Sequence, residues 1–417
     1  MKKHSIPRSG LVAALDVGTT KTACFIARIE QGQARIVGVG HQASRGIKAG
    51  TVVDLDAAQQ AILAAVHTAE QAIGETIQGV IVNISGGHPS SRTLVHEIEV
   101  GGHEIGDADM RKVHDQGRHV PDVADRTNLH AIPVGYSIDG SRGIRDPRGM
   151  YGQRLGVHVH AISAATSAIR NLVQCVARCH LDVQSVIVSP FAAGLAALVD
   201  DERDLGVTLI DMGGGTTTIA VFFDGQVVYV DAVPIGGQHV TSDIARGLST
   251  PLAHAERMKT LYGSALASAS DEREMIDVPL VGEEDNAHHG NHVPKSILTG
   301  IIQPRVEETF ELVRSRLEAS GFDNLAGRRV VLTGGASQLS GVRDLAALIL
   351  DKQVRMGRPM RVHGLTESVA GPAFATCAGL LVHALLPAGE PIRRRRSETA
   401  AAGSLFGRVG LWLKENF

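Results

Sequence analysis

The chain has 417 residues, 43% of them hydrophobic, with aromatics at only 3% and a net charge of −3. Its length allows about two to four domains with real cores, and the aromatic shortage favours close helix–sheet packing over a bulky aromatic binding surface. The near-neutral balance excludes a global field for nucleic acid.

The N-terminal "MKKHSIPRSGLVAALDVG" begins basic, but its apolar run stops at Asp16, short of the ~7–15 residues of a signal peptide. No stretch reaches the ~20 apolar residues of a spanning helix. A cytosolic protein is predicted, apart from whatever its tail does. "LVAALDVGTTKTACFIARI" (Leu11 to Ile29) reads as a strand, a tight Gly-rich turn and a second strand, with a third after "EQGQ". A helix follows over "DLDAAQQAILAAVHTAEQAIG", capped by Asp54 or Asp56. "GVIVNISG" reads as a strand. From Gly86 to Ala161 the chain turns rich in His, Gly, Arg and Asp, with Pro-containing turns such as "IRDPRGMYG", the character of an inserted subdomain.

"SAATSAIRNLVQCVARCHLD" reads as helix and "VQSVIVSP" as strand. Then "GVTLIDMGGGTTTIAVFFDGQVVYV" (Gly206 to Val230) repeats the opening plan with Asp211, Gly213, Gly215 and Thr216, about half a chain later. Such a repeat points to internal duplication. A second insertion runs from Gly236 to Thr299, helical at "HVTSDIARGL" and "PLAHAERMKTLYGSAL", then polar near "GEEDNAHHGNHVPK". "RRVVLTGG" is a further strand. Strands alternating with helices predict mixed α/β domains. "PAGEPIRRRRSETAAAG" cannot pack a core and reads as a linker.

Cys175 and Cys179 lie four apart on a predicted helix, with Cys24 and Cys377 far away. That is no zinc pattern and reads as thiols in a reducing compartment. His288, His289 and His292 have no acidic or Cys partner at ligand spacing and read as a solvated loop. His103, His114, His119 and His130 read as surface or satisfied core residues.

The chemistry concentrates in the two Gly-rich turns and in "VVLTGGASQLSGV" (Val330 to Val342). A Gly-rich turn between strands exposes backbone N–H groups to phosphate oxygens, and Thr hydroxyls add donors. An Asp at each strand end, Asp16 and Asp211, can hold Mg²⁺ through water, because Mg²⁺ dehydrates reluctantly. Two such turns would grip a nucleotide's phosphates from both sides of a cleft. At Gly334 and Gly335, where a strand passes into a helix, a flat base could approach the backbone. There is no G-x-x-x-x-G-K-[ST], despite "GTTKT", so this is not a P-loop. "GGGTTTI" also lacks the helix that follows a dinucleotide fingerprint.

These motifs resemble the actin, sugar-kinase and heat-shock-chaperone ATPase superfamily. Asp16 to Thr22 resembles its first phosphate loop, Asp211 to Thr218 its second, and Leu332 to Gly341 its adenosine motif. "AERMKTLYGSA" resembles the helix whose polar residues, here Glu256 and Lys259, reach the adenine or ribose, and "IGGQHVTSDIA" the turn and helix before it. The resemblance narrows at "LHAIPVGYSIDGSRGIRDPRGMYGQRLGVHVHAIS", "ERDLGVTLIDMGGGTTTIAVF" and "AVPIGGQHVTSDIA", which are similar to the FtsA family of bacterial cell-division proteins over nearly the whole chain.

That resemblance implies an α/β, actin-like fold of two related halves, each with an inserted subdomain, and a nucleotide cleft between them. The predicted first core domain is 8–85 with 163–200 and its insertion 86–162. The second is 201–235 with 300–386, and its insertion 236–299. A basic linker 387–403 and an amphipathic membrane-binding helix 404–417 complete the division. The expected cofactors are ATP and Mg²⁺. The expected contacts are Asp16, Gly18, Thr19, Thr20, Lys21, Asp211, Gly213, Gly214, Gly215, Thr216, Gly237, Glu256, Lys259, Gly334 and Gly335. The implied partners are the FtsZ C-terminal peptide, further copies in a head-to-tail polymer, late septal division proteins and anionic membrane lipid. Together they place the protein on the cytoplasmic face of the inner membrane at the septum, as a scaffold and anchor, not an enzyme in the main.

One departure bears on chemistry. Where the chaperone branch has a Glu-Pro pair, this chain has Ser189 before Pro190. Ser is no base at neutral pH, and orienting water is a large part of phosphoryl transfer. Tight binding with slow hydrolysis is predicted, with Asp211 the remaining candidate for positioning water or metal. Projected at about 100° per residue, the tail sets Leu405, Phe406, Val409, Trp412, Leu413 and Phe417 on one arc. Asn416 intrudes there and Leu411 lies outside. Six apolar side chains at ~1 kcal/mol each give about 6 kcal/mol gross, so one tail binds weakly and an array firmly. Arg393 to Arg396 add attraction to anionic lipid. Two alternatives stay open: an MreB-like cell-shape filament, and a small-molecule kinase of the same superfamily.

Overall fold

The computed structural model describes residues 10–30, 32–282, 291–323 and 325–386. Strand β1 (Leu11–Val17) is buried at every position, since an apolar run without alternation suits a central strand covered on both faces. It pairs antiparallel with β2 (Lys21–Glu30), which pairs with β3 (Gln33–Ala43). A small hairpin, β4 (Ile47–Lys48) and β5 (Thr51–Val52), leads to helix α1 (Leu55–Ile73). The cap is Asp54, whose carboxylate accepts the N–H groups of Asp56 and Ala57. At Gly40 a Cβ would sit 2.0 Å from the Ala65 carbonyl oxygen, so α1 lies on β3 at a distance only glycine allows.

After β6 (Gly79–Ile84), parallel to β1, the chain leaves this sheet. It builds a second one from β7 (Ser90–Glu99), β8 (Arg126–Ile138), β9 (Ser141–Ile144) and β10 (Arg154–Ala165), in order β7-β10-β8-β9. Helix α2 (Asp107–Gly117) supplies Val113 to a separate small core with Ile98, Tyr136, Leu155 and Val157. Helix α3 (Thr166–Ala177), β11 (Asp182–Val188) and α4 (Ser189–Ala197) then return to the first sheet, ordered β11-β6-β1-β2-β3. The helical pattern read from Ser163 starts three residues late. Ser163, Ala164 and Ala165 finish β10 because they pair with β8, and Cys179 falls just beyond the helix end.

The second half begins with α5 (Asp200–Leu205). Strands β12 (Val207–Met212), β13 (Thr217–Phe223) and β14 (Gln226–Val233) follow. Helices α6 (Gly237–Gly247) and α7 (Leu252–Tyr262), the hairpin β15 (Met275–Val278) and β16 (Asn291–Pro294), and α8 (Lys295–Ser320) come next. The chain then forms β17 (Arg329–Thr333), α9 (Val342–Leu350), β18 (Gln353–Met356) and α10 (Ala375–Ala384). The helical reading of "PLAHAERMKTLYGSAL" stops at Tyr262. Beyond it Ala265 donates its N–H to the Ser340 carbonyl at 2.8 Å.

This sheet runs β14-β13-β12-β17-β18. Both five-stranded sheets are therefore an antiparallel meander extended by two parallel strands, and the repeat seen in sequence is a repeat of topology. A shared core lies between them, with Phe25, Phe191, Phe222 and Leu380. Helix α10 crosses α4 so closely that a Cβ on Gly379 would lie 1.7 Å from the Ala192 carbonyl oxygen. The β7–β10 sheet joins the first half at both chain ends, yet it also bonds the second. Ser91 Oγ donates to the Val230 carbonyl at 3.1 Å and accepts the Val230 N–H at 2.8 Å. Arg145 pairs with Asp224. No described helix is long and apolar enough to cross a membrane.

Candidate functional site

The two Gly-rich turns are built alike. Gly18 donates its N–H to the Lys21 carbonyl at 3.0 Å, and Gly213 donates to the Thr216 carbonyl at 2.9 Å. The N–H groups of Thr19, Thr20 and Gly214 take no protein acceptor among the described residues and are free to meet a ligand. The turns face each other. A Cβ on Gly214 would lie 2.4 Å from Thr20 Cγ2, and one on Gly215 would lie 2.6 Å from Thr19 Oγ1. Glycine therefore sets how nearly the halves approach.

Between them lies a cavity of about 560 Å³, within the usual range for small-molecule sites. It is lined by Asp16, Gly18, Thr19, Thr20 and Lys21 from one side. From the other come Asp211, Gly213, Gly214, Thr216, Gly237, Glu256, Lys259, Gly334 and Gly335. Of the residues predicted for the site, Gly215 alone stands off the cavity wall, at the contact between the two turns.

Electrostatics mark the phosphate end. Asp16 and Asp211 are only 8% and 9% exposed. Burial pushes the Asp16 carboxyl up to about 6. Lys21 and the Asn83 hydrogen bond oppose that rise, and the Asp211 charge adds to it. Asp211 is also raised by burial, against the Thr376 hydroxyl and Lys21. Lys21 is lowered by burial. Its ammonium donates to the Ala373 carbonyl and sits 3.2 Å above the Phe374 ring. Two carboxylates whose charged forms burial disfavours, beside one cation, form a site that further positive charge would relieve.

A divalent cation with oxygen ligands fits these residues. Among the described residues no cluster of three or more His, Cys, Asp or Glu could hold a metal. At the other end, Lys259 Nζ donates to the Gly237 carbonyl at 3.2 Å, Thr241 Oγ1 at 2.9 Å and Glu256 Oε2 at 2.6 Å. Gly334 has φ +85°, and a Cβ there would meet Asp211 Oδ1 at 2.4 Å. The chain passes from β17 through a single 3-10 turn, Gly335–Gln338, before α9.

The sequence reading missed Asn83 and Thr376, which both line the cavity. Asn83 had a signal, as a lone polar residue near the end of an apolar strand. Thr376 had none, being 165 residues from its partner Asp211. Among the other predictions, His292 Nδ1 lies 2.5 Å from Asp277 Oδ1. His288, His289, the linker and the whole 404–417 segment lie outside the described residues.

A family model described as cell division protein FtsA matches residues 208–379, and another, the SHS2 domain inserted in FTSA, matches 86–163. A cell division protein FtsA of Rhizobium meliloti (strain 1021) is 45% identical over 423 residues, covering 98% of this chain and 96% of that one. In fold, the chain is similar to a protein of the PilM-PilN type IV pilus biogenesis complex. The TM-score is 0.63 at 17% identity, covering 91% of this chain and 100% of the other. It is also similar to MreB5 of Spiroplasma citri bound to ADP, with TM-score 0.53 at 13% identity, covering 89% and 95%. With the family's inserted domain matched inside an actin-like frame, and such identity over nearly its full length, the chain belongs to the FtsA family of cell-division proteins.

Proposed function

We propose that this chain is a nucleotide-controlled scaffold that binds ATP with Mg²⁺ in its central cleft and anchors a division assembly to the membrane. The observation that carries the reading is the pair of opposed Gly turns with a buried Asp behind each. The MreB5 neighbour, solved with ADP, supports it by fold. Mg²⁺, when bound, supplies charge neutralisation for the phosphate oxygens. The turns of residues 18–20 and 213–216 would wrap the phosphates from both sides. Lys21 would add a point charge, and Glu256 and Lys259 would bound the ribose and base.

Hydrolysis is slow in this reading. Ser189 Oγ accepts a hydrogen bond from Asn83 Nδ2 at 3.1 Å, so a hydroxyl donor stands where a base would be needed. We assign 8–85 with 163–200 and 201–235 with 300–386 to the two core domains, and 86–162 and 236–299 to their insertions. Closure of the cleft would couple ATP binding to head-to-tail assembly. Residues 404–417 would tether the polymer to anionic lipid at the inner membrane, after the basic linker 387–403. The FtsZ C-terminal peptide and late septal proteins are the proposed partners. The cell-shape filament and small-molecule kinase readings give way to the family match.

Two measurements test this. Calorimetry of the full chain with ATP and Mg²⁺ should show one saturable site, and no binding would overturn the reading. Ending the chain at Gly403 should release it from anionic vesicles while leaving ATP affinity unchanged. Persistent co-sedimentation would refute the anchor.

A further inference from the structure

Three neighbouring strand ends meet at the first carboxylate. The order β11-β6-β1, parallel throughout, sets Ser189, Asn83 and Asp16 side by side at the strands' C-terminal ends, the edge where open α/β sheets take ligands. Asn83 is 2% exposed and uses its whole amide. Its Nδ2 donates to Asp16 Oδ1 at 2.7 Å and to Ser189 Oγ at 3.1 Å, while its Oδ1 accepts the Val17 N–H at 2.8 Å. The carboxylate of the second half is held with different atoms. Thr376, buried at the first turn of α10, donates its hydroxyl to Asp211 Oδ2 at 2.9 Å.

One oxygen of each cleft carboxylate is thus held by a neutral donor, that of Asp16 from its own sheet and that of Asp211 from α10, whose neighbouring Cys377 bonds the Ala14 and Ala23 carbonyls of the first half. The other oxygen of each takes no protein hydrogen bond among the described residues. Neutral donors are the informative choice. An Arg or Lys at these positions would also fix the carboxylates, but it would cancel their charge. An amide and a hydroxyl fix direction and leave the charge for something else.

We propose that Asn83 and Thr376 are a matched pair of positioning residues. They orient Asp16 and Asp211 toward the cation that accompanies a nucleotide's phosphates. The proposal rests on the nucleotide reading above. Groups that hold a metal's ligands in place typically govern affinity by 10–100-fold when removed. They do so through the cation and not through the nucleotide's own contacts.

The test is ATP affinity of the full chain, measured by calorimetry across a Mg²⁺ titration and again in EDTA. Thr376→Val keeps the shape and removes the donor. Asn83→Leu does the same in the first half. Each should raise the Mg²⁺ concentration for half-maximal affinity about 10–100-fold and leave affinity in EDTA within about twofold. Thr376→Ser should restore the wild-type Mg²⁺ requirement. Circular dichroism checks folding, and should Asn83→Leu not fold, the Thr376→Val and Thr376→Ser pair decides. An unchanged Mg²⁺ requirement in folded Thr376→Val overturns the proposal. So does an equal loss with and without Mg²⁺, which marks a merely structural role. If the wild type binds no ATP under either condition, the nucleotide reading itself falls and this one with it. If the wild type binds with a Mg²⁺ requirement that the variants share, only the positioning role falls.

Discussion

Replacing Asp16 with Asn should make the ligand-free protein more stable while weakening its hold on Mg-ATP. The Asp16 carboxyl rises from 3.8 to about 6, chiefly because burial disfavours its charged form. A native pKa above the unfolded one means the native state binds the proton more tightly. Between about pH 4 and 6 the unfolded chain therefore carries fewer protons, and stability falls as pH rises through that window. Above it the whole penalty stands, about 3 kcal/mol for a shift of roughly two units. A side-chain amide in place of the carboxyl would keep the acceptor oxygen for Asn83 and lose the charge. Asp16→Asn should thus gain about 3 kcal/mol at pH 8 and only about half of that at pH 5. A gain of that size raises the melting temperature by several degrees. Thermal denaturation of the full chain at both pH values measures it. A parallel scan with Mg-ATP should show the ligand-induced rise much reduced in the variant. A variant melting at or below the wild type at pH 8 without ligand would refute the reasoning, as would a gain that does not shrink at pH 5.

Other outcomes follow from the same geometry. His130, accepting the Val188 N–H and packed against Phe191, is pushed down to about 3 by burial and the nearby His383 and His160, and the buried His160 is pushed down to about 4 by burial. Both stay neutral in the fold, so stability should drop as pH falls below about 6.5, by up to about 1.4 kcal/mol per unit for each. His160→Leu should lose less melting temperature between pH 6.5 and 5 than the wild type does, and equal losses would count against it. Gly334→Ala should abolish measurable ATP binding, because its Cβ meets Asp211 Oδ1 and its φ of +85° strains any L residue. Gly379→Ala should greatly lower expression and melting temperature, since the α10–α4 crossing has no room for a methyl. Phosphate release by the wild type should stay below about 1 s⁻¹, the low end of typical enzyme turnover, and a faster rate would refute the slow hydrolysis expected from Ser189 standing where a base would be.

The parts of the fold that sequence made legible are those set by local periodicity. Apolar runs broken by Gly-Thr turns identified both hairpins, because alternation and glycine each report backbone geometry at short range. The start of α3 was misread because "SAATSAI" satisfies a helical pattern until pairing of Ser163 to Ala165 with β8 overrides it. Asn83 and Thr376 could not be read as site residues, since what places them is the strand order and the packing of α10 against α4 and β1, which brings Thr376 to Asp211, both long-range facts. Gly215 was read as a ligand contact by its place in the motif. Its actual neighbours, Thr19 and Ala49, belong to the opposite half.

The β7–β10 sheet is fastened on both sides of the cleft, by peptide bonds to the first half and by Ser91, Val230, Arg145 and Asp224 to the second. In mechanical terms it is a stay across a hinge. Widening the cleft by the length of a hydrogen bond must either part Ser91 from Val230 or swing the whole sheet along with the second half. The first course forfeits about 1 kcal/mol per bond. The second carries β9 and the turn of residues 145–150, already tied to the second half through Arg145 and Asp224, along with the moving half.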